Sequence, residues 1–142
     1  MLVVTLGACD RGGRSGSGGA VSYSENGLAL ALSFDEPLRT GRAVTWRLDV
    51  ENRGQESLTL RFSSGKDGVV ALLQGAREVY RWSAGRLFSQ ALREVPVGAG
   101  ARHTFRLEDR GLTAPAGAYE VVGELTSDPT LLPVRRPVQI GR

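Results

Sequence analysis

The chain has 142 residues, enough for one domain with an adequate core, and its 41% hydrophobic and 23% charged content belongs to a folded, soluble protein rather than a disordered one. Net charge is +3, and Lys66 is the only lysine among the 18 Lys and Arg residues, so Arg carries nearly all the positive charge. The basic residues alternate with acids, as in Arg47/Asp49/Glu51 and Arg77/Glu78/Arg81, which argues against the clustered basic face of a nucleic-acid binder.

At the N-terminus, residues 2–8, LVVTLGA, are apolar or small and run into Cys9, the only cysteine. Leu6-Gly7-Ala8-Cys9 resembles a bacterial lipobox, in which small residues before the cysteine admit the signal peptidase and the thiol carries a diacylglycerol anchor. Residues 10–20, DRGGRSGSGGA, have the composition of a flexible tether. This reading divides the chain into a lipoprotein-type signal peptide at 1–8, a Gly/Ser tether at 9–20 and a folded domain at 21–142. It places the protein in the bacterial cell envelope, held to the membrane outside the cytoplasm through lipidated Cys9. The apolar run is short and has no Lys or Arg before it. The alternative is a short buried N-terminal strand with an inert thiol in a cytoplasmic protein.

The rest reads as strands. Leu28, Leu30, Leu32 and Phe34 alternate with small residues; Val44, Trp46, Leu48 and Val50 alternate with Thr45, Arg47, Asp49 and Glu51; Leu58, Leu60 and Phe62 alternate with Thr59 and Arg61. This period of two predicts antiparallel strands with one covered face. Turn signals follow at 52–55, 63–68, Gly75-Ala76, 96–100 and 111–118, with further strands predicted at 69–73, 101–107, 119–126 and 134–140, the last a Pro-containing edge strand. Breaks every 8–12 residues predict an all-β fold, an immunoglobulin-like antiparallel β-sandwich. Residues 77–95, REVYRWSAGRLFSQALREV, interrupt the pattern: they begin and end as strands, a turn signal at Ser83-Ala84-Gly85 divides them, and 84–92 could hold one helical turn or two. Tyr119, after Pro115-Ala116-Gly117-Ala118, is either a tyrosine corner or an ordinary core tyrosine.

Catalytic chemistry finds little support. His103 is the only histidine, and it shares a register with Phe105 and Leu107 on an expected inward face. It has no second His or spare Cys with which to bind a metal, and no GxSxG elbow presents a serine to it. The pairs Asp35-Glu36 and Glu108-Asp109 point to opposite faces of their strands and read as solvated strand ends. Gly65-Lys66-Asp67-Gly68 and Gly98-Ala99-Gly100 lack the spacing of phosphate or dinucleotide loops. No enzyme, metal, cofactor, nucleic acid or small-molecule substrate is expected.

Residues 80–92, YRWSAGRLFSQAL, are similar to the signature of the BsuPI family, the intracellular proteinase inhibitor domain. The matching positions are Tyr80, Trp82, Ser83, Phe88, Gln90, Ala91 and Leu92, followed by the turn at 96–100 and the loop from Pro115 to Tyr119; Val50-Glu51-Asn52 and LTLRFSSG at 58–65 also fit. The resemblance spans about residues 28–126. Two departures are the aliphatic 69–73 strand and one extra residue between Pro115 and Gly117. The resemblance implies a non-catalytic, protein-binding domain whose partner is a protease of the serine class. Its candidate contact residues are Arg81, Ser83, Arg86, Leu87 and Gln90, while Trp82, Phe88, Leu92 and Tyr119 are expected to hold the fold. The competing reading is a structural or assembly lipoprotein that binds an envelope partner through an edge strand or the 83–92 surface without inhibiting a protease.

Overall fold

Alternation of apolar and polar residues builds most of the strands in the computed structural model, which describes residues 17–23 and 26–142. The strands are β1 (Ser17–Tyr23), β2 (Leu28–Asp35), β3 (Leu38–Arg39), β4 (Val44–Asn52), β5 (Leu58–Phe62), β6 (Gly68–Gln74), β7 (Arg77–Arg81), β8 (Arg93–Val97), β9 (Arg102–Asp109), β10 (Gly117–Leu125), β11 (Ser127–Asp128) and β12 (Val134–Gly141). Along β4 every second residue is buried, from Val44 to Asn52, with half-buried positions between them.

Three sheets result, ordered β1-β2-β4-β9, β3-β12-β10-β6-β7 and β11-β5-β8. All pairings are antiparallel except the short β3–β12 contact, where Leu38 and Arg39 run parallel beside Ile140 and Gly141. The inner faces of the two larger sheets meet in one core. The first sheet contributes Leu30, Leu32, Phe34, Trp46 and Leu48, and the second Val70, Leu72, Tyr119, Val121, Val138 and Ile140. Glycines line part of this interface: an added Cβ at Gly123 would sit 3.1 Å from Leu48 Cδ2 and 3.3 Å from Leu32 Cδ2. The small third sheet closes one side with Leu60, Phe62 and Val97. The all-β sandwich expected from the sequence is therefore the fold.

Several local expectations change. Strand β1 was not anticipated: its Gly/Ser-rich sequence carries no apolar alternation, yet Ser17–Tyr23 pairs along β2 from Asp35 to Ala29. The expected tether at 9–20 overlaps this strand at 17–20, and its remaining residues, Cys9 among them, lie outside the described residues, as does the 1–8 segment. No helical turn forms in 84–92; a turn spans 82–85 and no helix follows. His103, the second residue of β9, is exposed rather than inward, and its ring lies tilted against Phe105 with centroids 4.5 Å apart. Tyr119 is a tyrosine corner: its hydroxyl donates to the Pro115 carbonyl at 2.7 Å and ties the 111–116 loop to the start of β10.

Candidate functional site

The stretch between β7 and β8 leaves the sandwich and returns to it without forming secondary structure beyond its opening turn. Trp82 is held at the exit by its backbone N–H, which donates to the Val70 carbonyl at 2.9 Å. The chain then turns: Ala84 N–H donates to Arg81 O at 3.1 Å and Arg86 N–H to Ser83 O at 3.2 Å. Gly85 occupies a left-handed conformation, φ 75°, that side chains rarely adopt. From Arg86 to Leu92 the backbone runs without turn or bend.

Side chains pin this segment from both ends. Arg86 folds back over the Trp82 ring, 4.4 Å from its centroid. Its Nε donates to the Trp82 carbonyl at 2.7 Å and its Nη2 to the Glu108 carbonyl at 3.0 Å. The same Glu108 carbonyl accepts the Trp82 indole N–H at 2.9 Å. Arg86 Nη2 also lies 3.9 Å from Asp109 Oδ1. At the other end, Arg93 donates to the Ser64 carbonyl at 3.0 Å and to Asp67 at 2.7 Å, and lies over the Phe62 ring. Midway, the Ser89 carbonyl accepts the Gly65 N–H at 2.8 Å. Gly65 eases that approach, since a Cβ there would press on the Ser89 hydroxyl and lie 3.2 Å from the Ser89 backbone nitrogen. Phe88 packs against Trp82 with centroids 5.7 Å apart, and Lys66 Nζ lies 5.9 Å from its ring.

The support reaches into the core. Tyr80 donates its hydroxyl to Asp109 Oδ2 at 2.6 Å and accepts the indole N–H of fully buried Trp46 at 3.3 Å. Burial, and then the bond to Asp109, hold the Tyr80 hydroxyl well above the usual tyrosine range. Asp109 also accepts the Gly111 N–H at 3.1 Å. A continuous chain of polar contacts therefore runs from Trp46 through Tyr80 and Asp109 to Arg86.

The candidate residues separate into two groups. Leu87 is 99% exposed and Gln90 is exposed. Ser83 is half-buried in the turn, and the Arg81 guanidinium is bonded to Glu78, with contacts of 2.7 and 3.1 Å. Arg86 spends its donors on the Trp82 carbonyl at the head of the loop and the Glu108 carbonyl of β9. Trp82 and Phe88 hold the crossover, although both are half-buried at its surface rather than inside the sandwich. Leu92, expected to be structural, is instead 82% exposed, because the segment rejoins the body only at Arg93.

Several participants were not legible as such. Asp109 was read as a solvated strand end, yet it receives Tyr80 and the 109–111 turn. Gly65 and Arg93 belong to segments read only as turn and strand, and no local pattern announces that the 63–67 turn backs Ser89.

The domain is thus a β-sandwich with a pinned, exposed crossover between β7 and β8. The family model for BsuPI, intracellular proteinase inhibitor, matches residues 32–130, and the chain belongs to this family. No curated protein matches the chain. Membership corrects the expected location in the cell envelope: the family is described as intracellular, and its match covers most of the chain, whereas the envelope reading rested on the few residues ending at Cys9.

Proposed function

We propose that the protein is a non-catalytic inhibitor of serine proteases, and that it binds them through the 83–92 crossover. Membership in a proteinase inhibitor family supplies the class. The observation that carries the reading is the build of residues 86–92: a backbone free of turns, exposed at Leu87 and Leu92, and tied to the body through Arg86, Ser89 and Arg93. Serine proteases bind substrates as extended segments laid across the catalytic serine. A loop already held in such a form loses little conformational entropy on binding, which favours affinity. The 63–68 turn, Gly-rich and polar, acts as the support behind the loop.

A titration of the purified protein against subtilisin-like and chymotrypsin-like proteases tests this. Dose-dependent inhibition is expected. Full protease activity with the protein present at micromolar concentration would reject the serine-protease reading.

A further inference from the structure

We propose that Leu87 fills the primary specificity pocket of the target protease and that Leu87–Phe88 is the peptide bond offered to the catalytic serine. The proposal rests on the inhibitor reading above and deepens it by naming the protease class, one with an apolar primary pocket. Leu87 is the large apolar side chain with the greatest exposure among the described residues, at 99%. Both its neighbours fold back onto the body: Arg86 bonds the Trp82 and Glu108 carbonyls, and Phe88 packs on Trp82. One unsupported apolar side chain between two supported ones gives a protease pocket a single residue to take.

The same contacts govern what happens after attack. The protease serine oxygen adds to the Leu87 carbonyl carbon, the bond to the Phe88 nitrogen breaks, and that nitrogen leaves as an amine with the proton taken from the serine. In a flexible substrate the amine diffuses away and water hydrolyses the ester. Here the Phe88 ring stays on Trp82 and the Ser89 carbonyl stays on Gly65, while Arg86 keeps the acyl side in place. The amine remains beside the ester and can attack it, re-forming the peptide bond and returning the proton to the serine. Arg86 is thus a positioning residue: it retains the cut end rather than touching the protease.

The test uses the full chain with Leu87→Lys and Arg86→Ala, assayed against subtilisin, chymotrypsin and trypsin. The wild type should inhibit the apolar-pocket enzymes. Leu87→Lys should lose roughly 100-fold in affinity for them and gain inhibition of trypsin, as expected when an anchor residue is exchanged. An exposed position makes misfolding of this variant unexpected, and circular dichroism checks it. Mass spectrometry after long incubation with catalytic protease should find a cut between Leu87 and Phe88. Arg86→Ala should bind roughly tenfold more weakly, because the loop is no longer held before binding, and be cleaved faster, so that inhibition fades with time. Unchanged specificity in Leu87→Lys, or a cut elsewhere, would overturn the assignment of Leu87 and leave the inhibitor reading standing. An Arg86→Ala protein that resists cleavage as well as the wild type would overturn the positioning role. A wild type that inhibits none of the three would overturn both readings.

Discussion

Asn52 is the buried polar residue on which most local order converges. It is fully buried at the end of β4, and its amide donates to the carbonyls of Glu56 at 2.7 Å and Val97 at 2.9 Å while its side-chain oxygen accepts the Gly54 N–H at 3.0 Å. Its backbone bonds Ala101 and Gly100 as well. The side chain thus joins the β4–β5 turn to the end of β8. Asn52→Ala should leave the buried Val97 carbonyl without a partner and release the part-buried Glu56 carbonyl and Gly54 N–H, costing about 2 kcal/mol, read as a fall in the urea midpoint. Tyr119→Phe removes one hydrogen bond and keeps the ring in the core, so a smaller loss of about 1 kcal/mol is expected in the same measurement. Gly68 has another kind of necessity. A Cβ there would meet Glu124 O at 2.6 Å and Leu48 Cδ1 at 2.7 Å, so Gly68→Ala should destabilise by about 2 kcal/mol through strain between β6 and β10. The sequence showed Gly68 as a turn residue and Asn52 as a turn residue at a position that fits the family; their burial depends on segments distant in the chain.

At the scale of elements, the crossover between β7 and β8 is held chiefly by side chains. Its backbone bonds to other segments are few, those of Trp82 to Val70 and of Gly65 to Ser89. Trp82 is the central piece, since Arg86 and Phe88 both pack on its ring and its indole reaches Glu108. Trp82→Ala should therefore free the segment while leaving the two-sheet core intact. Hydrogen exchange should accelerate at residues 83–92, with little change in β2 and β4. Equal acceleration across the molecule would instead make Trp82 part of the global core. The aromatic residues of this segment were visible in the sequence and were expected to hold the fold. Their position at the surface was not, because the spacing of Trp82 and Phe88 matches no regular period and only the path of the loop decides which side they face.

For the molecule as a whole, the link between core and loop passes through Tyr80. Burial, then the bond to Asp109, raise the hydroxyl's pKa in the folded protein, so the folded state keeps a proton that the unfolded chain releases above roughly pH 10. The unfolded state then binds fewer protons, and stability falls as pH rises; the contribution is fully present below that pH. Denaturant midpoints compared at pH 7 and pH 11 should show this loss, and Tyr80→Phe, though less stable at pH 7, should lose less between the two. The sequence by itself determined the sandwich class, because alternation in β2, β4 and β5 leaves each strand one apolar face that must be covered, and it carried the family signature across residues 80–92. Tertiary structure alone decided the addition of β1, the partnership of Tyr80 with Asp109, and the division of Arg86, Leu87 and Phe88 into anchor and exposed point. These depend on groups far apart in the chain meeting at one place, and a local pattern of polar and apolar residues holds no record of such meetings.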